Sequence, residues 1–224
     1  MTLSLLARCA ETRQFGMVIA SSSPAVAARC SHARAGVGVA ASQNITDPAL
    51  GPALLDHLAR GQSAAQALQA VVAATKHAAC RQLMLVDAQG ATAFHMGDGM
   101  LGIFAVAQGP GVIAGGNLLA NDRVPQAMLD CFTATSAPFG TRLIAALGAG
   151  LAAGGEAGDL HSAGLLIVDR LSWALVDLRC DWTEDCPIKA VAKAWQVYQP
   201  QMDAYVQRAE NPDLAPSYGV PGDP

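Results

Sequence analysis

Short apolar runs come in pairs along this chain, each pair joined by a polar turn, and segments of helical period lie between the pairs. Leu3 to Arg8 and Phe15 to Ala20 flank Cys9 to Gln14 and read as a first hairpin. Arg81 to Asp87 and Ala91 to Met96 flank Ala88-Gln89-Gly90 and read as a second; Ser162 to Val168 and Trp173 to Arg179 read as a third. Ala35 to Ser42 alternates small and β-branched residues, and its Gly36 and Gly38 suggest that something packs close to its backbone. Gly102 to Ala107 and Gly111 to Ala114 add two further short strands.

Between them, Asp47 suits the cap of a helix over Pro48 to Arg60, and Ser63 caps a second over Ala64 to His77. Pro24 to Arg34 reads as a short irregular or helical crossing. Helices follow over Leu118 to Phe132, Pro138 to Ala153 and Pro187 to Arg208, the last broken or kinked by Pro200. Residues 1–210 thus form one domain, and 211–224, rich in proline, form an extended or mobile tail. Hairpins alternating with helix pairs do not build a doubly wound parallel sheet. They suit an α+β fold with two antiparallel sheets between helix layers, a four-layer αββα sandwich.

Hydrophobic residues make up 52% of the chain and charged ones 14%, enough to fill a large core. A net charge of −4 without a Lys/Arg cluster argues against nucleic acid as a partner. No apolar stretch approaches the roughly 20 residues that cross a bilayer, so no membrane partner is expected. The six cysteines are scattered without a CxxC pair, which points to reduced thiols and to neither a metal site nor a cofactor. Nothing resembles an export signal, so the cytoplasm is the expected compartment. Sparse surface charge favours a homo-oligomer.

The sharpest chemical hint is Thr2 at the head of the first strand. Removal of Met1, which the small Thr2 permits, would place a hydroxyl and a free α-amine on one residue, a nucleophile and its base. Ser21, Ser22 and Ser23 end the neighbouring strand and can orient a nucleophile or bind substrate, or merely bond local backbone. Gly115-Gly116-Asn117 is the best oxyanion candidate, since glycines let backbone N–H groups approach a ligand and an Asn amide donates to developing charge. Asn117 equally suits the N-cap of a helix from Leu118. Gln43 and Asn44 close the third strand as polar candidates. Asp177, Arg179 and Asp181 share a face of the last strand and can bind a charged substrate or form a solvated edge. His161 has a weak case as a base.

An αββα sandwich whose first strand begins with Thr resembles the N-terminal nucleophile (Ntn) hydrolases, the proteasome subunits among them. More specifically, MTLSLLAR at the start, ARAGVGVAASQ at Ala33 to Gln43, LGPALLDHLARG around Gly51 and QLMLVDAQG at Gln82 resemble a bacterial and archaeal family, domain of unknown function 1028. GGNLLA at Gly115, SAGLLIV at Ser162 and VDLRCD at Val176 extend the resemblance to Asp181. It departs from the family at Cys9, where an acidic residue is usual, and in the NITDPALG loop, where aromatic and basic residues are common. The resemblance implies an Ntn-like fold and no settled substrate. The functional expectation is an Ntn-type amidohydrolase for a small amide or peptide-like substrate, with Thr2 as nucleophile and Gly116 and Asn117 at the oxyanion. Ser22, Ser23, Gln43, Asn44 and Asp181 would contact substrate. The alternative is a small-molecule-binding or assembly protein that keeps the fold without catalysis.

Overall fold

The computed structural model describes residues 1–222. The first hairpin is β1 (Thr2–Arg8) and β2 (Phe15–Ser21). A short α1 (Val26–Cys30) leads to β3 (Ser31–Arg34) and β4 (Gly38–Asn44). Helices α2 (Leu50–Ala59) and α3 (Ala64–Ala74) precede β5 (Arg81–Asp87), β6 (Thr92–Met96), β7 (Ile103–Gly109) and β8 (Val112–Leu119). Then come α4 (Val124–Ala134), α5 (Phe139–Ala152), β9 (Ser162–Val168), β10 (Val176–Cys180), α6 (Pro187–Tyr198) and α7 (Met202–Glu210). Among the described residues the strands make two antiparallel sheets, ordered β10-β9-β2-β1-β8-β7 and β3-β4-β5-β6.

Strand alternation explains the layers. Leu3 and Leu5 of β1 turn to Met128, Leu143 and Leu147 of α4 and α5. Leu6, Met17 and Ile19 turn the other way and meet Val39, Ala41, Met84 and Val86 of the second sheet. On the far side of that sheet, Ala40, Leu83 and Leu85 meet Leu54, Leu58 and Val71 of α2 and α3. The result is the expected αββα sandwich. Asp87 ties two layers together: its Oδ1 accepts from the N–H groups of Gln89 and Ala91 at 3.0 and 2.9 Å, and its Oδ2 accepts from Ala64 N–H, at the start of α3, at 3.1 Å. Ser63 and Gln66 form a capping box on the same helix.

Several boundaries depart from the sequence reading. The crossing after β2 contains a strand, β3, because Ser31–Arg34 finds β4 as an edge partner. The expected third strand runs two residues further, to Asn44. Asp47 makes a local turn to Ala49 N–H at 3.1 Å while α2 begins only at Leu50. β8 continues through Gly115-Gly116-Asn117 to Leu119, so the next helix starts at Val124 and Asn117 caps nothing. Pro200 lies in a 3₁₀ turn separating α6 from α7. After Asn211 the chain folds back on α7: Arg208 donates to the carbonyls of Pro216 and Ser217, and its guanidinium lies 3.8 Å from the Tyr218 ring centroid.

Candidate functional site

Five strands line the space between the sheets, and each turns from apolar to polar at the same end. Leu6 gives way to Ser4 and Thr2 on β1, and Met17 and Ile19 to Ser21 on β2. On β8 the face runs from Ile113 to Asn117, on β4 from Val39 and Ala41 to Gln43, and on β5 from Val86 and Met84 to Gln82. Thr2 pairs with Asn117 across β1–β8, and Gln43 pairs with Gln82 across β4–β5. All of these polar residues are buried.

Side chains then join the two sheets. Gln43 Nε2 donates to Ser4 Oγ. Gln82 Nε2 donates to the Gly116 carbonyl at 3.0 Å, and its Oε1 accepts from Asn117 Nδ2 at 2.9 Å. Two acceptors, Gln43 Oε1 and Asn117 Oδ1, have no hydrogen-bond partner among the described residues. A buried acceptor left unpaired costs about 1–3 kcal/mol. Gly116 is required by proximity: a Cβ there would lie 2.6 Å from the Thr2 carbonyl oxygen.

At the head of β1 the hydroxyls of Thr2 and Ser21 both donate to the Met1 carbonyl. Ser21 Oγ accepts from Ser23 N–H at 3.0 Å, and the Ser23 carbonyl accepts from Ser162 Oγ at 2.6 Å. Ser22 N–H donates to Glu156 Oε2 at 3.2 Å. Glu156, in the loop before β9, is 5% exposed, and its Oε1 lacks a partner among the described residues. Burial pushes its carboxyl up from 4.5 to about 7, opposed by the chain's α-ammonium, Ser22 and His161. Glu156 has no counterpart in the sequence reading, because a lone acid in the glycine-rich loop GGEAGD carries no periodicity. Gln82 had a signal: it occupies the inward face of an apolar strand.

Other expected residues lie apart from this cluster. Asn44, at φ 69°, staples two loops, donating to the Cys80 carbonyl at 2.7 Å and accepting from Leu101 N–H at 3.3 Å. Asp181 is exposed, and its carbonyl accepts from Ala25 N–H at 2.9 Å. Asp177 and Arg179 form a bidentate pair on the surface at 2.7 and 2.8 Å. His161 stacks on Trp182, ring centroids 4.3 Å apart, with Nδ1 2.8 Å from the Thr183 carbonyl.

Fold and site together define an α+β sandwich whose first strand begins, at Thr2, in a buried polar cluster between the two sheets. Residues 2–191 match the model of the Family of unknown function (DUF1028), and the chain belongs to that family. A crystal structure of a protein of the same family from Silicibacter pomeroyi is 31% identical, covering 88% of this chain and 89% of that one with a TM-score of 0.83. The Anbu protein of a Hyphomicrobium strain is 12% identical over 91% of this chain and 97% of that one, TM-score 0.45. Anbu of Yersinia bercovieri, described as an ancestral beta-subunit, is 13% identical over 90% and 96%, TM-score 0.43. No curated protein matches the chain. Among the described residues no helix is long and apolar enough to cross a membrane.

Proposed function

We propose that the chain is an Ntn-type amidohydrolase that cleaves a small amide or peptide-like substrate through Thr2. The observation that carries this reading is the convergence of the Thr2 and Ser21 hydroxyls on the Met1 carbonyl at the head of a central strand. Removal of Met1 leaves the Thr2 amine where that peptide stood. The Thr2 Oγ proton passes to the amine as Oγ attacks the substrate carbonyl carbon. The tetrahedral oxyanion is held by Asn117, whose Nδ2 carries two hydrogens and gives one to Gln82, with Gly116 backbone beside it. Collapse expels the amine leaving group with the transferred proton, and water then hydrolyses the Thr2 ester. Ser21, Ser22 and Ser23 position the substrate at the rim, and Gln43 lies deeper. Asn44 and Asp181, which lie apart from this cluster, take no part in the step. The working form is a cytoplasmic homo-oligomer.

A second reading, a binding protein that keeps the fold without catalysis, is favoured by the unpartnered Gln43 Oε1 and Asn117 Oδ1, which suit a ligand's donors. Intact mass before and after a hydroxyl-directed acylating probe separates the two. Loss of Met1 and one adduct on Thr2, absent in Thr2→Ala, supports the hydrolase. Retained Met1 with no adduct overturns it.

A further inference from the structure

Beside the N-terminus lies a cleft of about 460 Å³ lined by Glu156, Asp159, Glu184 and Asp185, with Gly158 and Pro187 among its walls. Among the described residues no Lys, Arg or His lines it, so four acidic residues border one space without a basic side chain among them. It adjoins the candidate site directly: a Cβ on Gly158 would lie 3.5 Å from Met1 Cε. We infer that this cleft binds a cationic group, an ammonium or guanidinium, on the ligand that reaches Thr2.

An acidic surface alone would not carry this, since solvated carboxylates are ordinary. Glu156 is different. It lines the cleft yet is 5% exposed, and one of its carboxylate oxygens has no partner among the described residues. Its other oxygen is already held by Ser22 N–H, which fixes the carboxylate against the wall. A buried carboxylate with one oxygen vacant is completed best by a charge-assisted donor. The chain's α-ammonium and His161 act on Glu156, but no basic side chain lines the cleft itself among the described residues. Glu184 is engaged at its outer end, accepting from Trp182 Nε1 at 3.0 Å and lying 3.8 Å from His161 Nδ1, so it closes the rim. Among the described residues no three His, Cys, Asp or Glu side chains are grouped to hold a metal ion, which favours an extended organic cation over a divalent metal.

Calling that ligand a substrate rests on the hydrolase reading; the binding does not. The test is isothermal titration of the full chain at pH 8, where Glu156 is ionised, and at low ionic strength, with Nα-acetyl-lysinamide and its neutral counterpart Nα-acetyl-norleucinamide. The lysine compound should bind at least tenfold more tightly. Glu156→Gln and the double variant Asp159→Asn with Glu184→Gln should each weaken it at least fivefold. The nucleophile is read separately, by the acylating probe on wild type and Thr2→Ala, so that its failure and failure of the cleft are distinguished. Equal binding of both compounds, no binding of either, or wild-type affinity in both cleft variants overturns the inference.

Discussion

Glu156 and Ser22, 134 residues apart in sequence, are joined by a hydrogen bond from the Ser22 N–H to Glu156 Oε2 at 3.2 Å. That contact places an ionisable group beside the first residues of the chain and makes the site sensitive to pH. The unfolded chain releases the Glu156 proton near 4.5, whereas the folded protein holds it to about 7. The folded state therefore binds more protons in this window, and its stability falls as pH rises through it. The interval from 4.5 to about 7, at about 1.4 kcal/mol per pH unit, amounts to about 3 kcal/mol. The α-ammonium and His161 oppose the rise, while Asp159, Glu184 and Asp185 share the cleft. Urea unfolding at pH 5 and pH 8 should show Glu156→Gln gaining about 1–3 kcal/mol on the wild type at the higher pH. Parallel profiles would show that Glu156 does not titrate in this window.

Gln82 holds the two sheets together at the site, so its removal should be felt at both partners. Gln82→Leu keeps the volume but strips the Gly116 carbonyl and the Asn117 amide of their bonds. Each stranded group costs about 1–3 kcal/mol, so the variant should lose about 2–4 kcal/mol in denaturant unfolding. A loss below 0.5 kcal/mol, on the order of a surface change, would mean that water satisfies both groups.

The hairpins were legible because each rests on local pattern: an apolar run, a polar turn and a second run, as in β1 and β2. The helices were legible for the same reason, down to the break at Pro200. The strand through Gly115-Gly116-Asn117 was ended too early, at Ala114, because two glycines and an Asn carry no strand pattern. Tertiary packing demands them inside a strand, where a Cβ on Gly115 would lie 2.5 Å from Met84 Sδ. β3 was missed because four residues with no alternation become a strand only through the partner that β4 supplies. Thr2 and Gln43 could be singled out as polar strand-end residues. Glu156 could not, since its burial and its link to Ser22 arise from contacts far apart in the chain.

Gly36 and Gly38 looked alike in sequence, yet the structure separates their roles. Gly36 has open space around it and φ 69°, so an added Cβ meets only backbone strain. Gly38 has ordinary φ, but a Cβ would lie 2.5 Å from the Val86 carbonyl oxygen and 2.8 Å from Leu58 Cδ1. Gly36→Ala should cost about 1 kcal/mol. Gly38→Ala must push β4 away from β5 and should cost about 1–3 kcal/mol or more. Thermal unfolding of the two variants side by side checks the order; a reversal would mean that β4 yields more readily than the turn.

The edges of the two sheets meet on one side of the molecule, where Thr92 Oγ1 on β6 donates to Gln108 Oε1 on β7 at 2.7 Å. Phe94, Leu101, Ile103 and Phe104 lie exposed on β6, on β7 and just before it, at 38%, 48%, 47% and 39%. An edge strand offers unpaired backbone groups, and a monomer normally protects it with charge or a bulge. β7 has an irregularity between Ile103 and Ala105, but its outer residues are apolar. Association of copies through these edges would bury both features at once. Size-exclusion chromatography with light scattering should find the wild type at a multiple of the single-chain mass. Ile103→Lys combined with Phe104→Lys should shift it to one chain while far-ultraviolet circular dichroism stays unchanged, because neither side chain belongs to the buried core. A wild type that is monomeric at micromolar concentration, or an assembly that survives both charges, would leave these edges without a partner of their own kind.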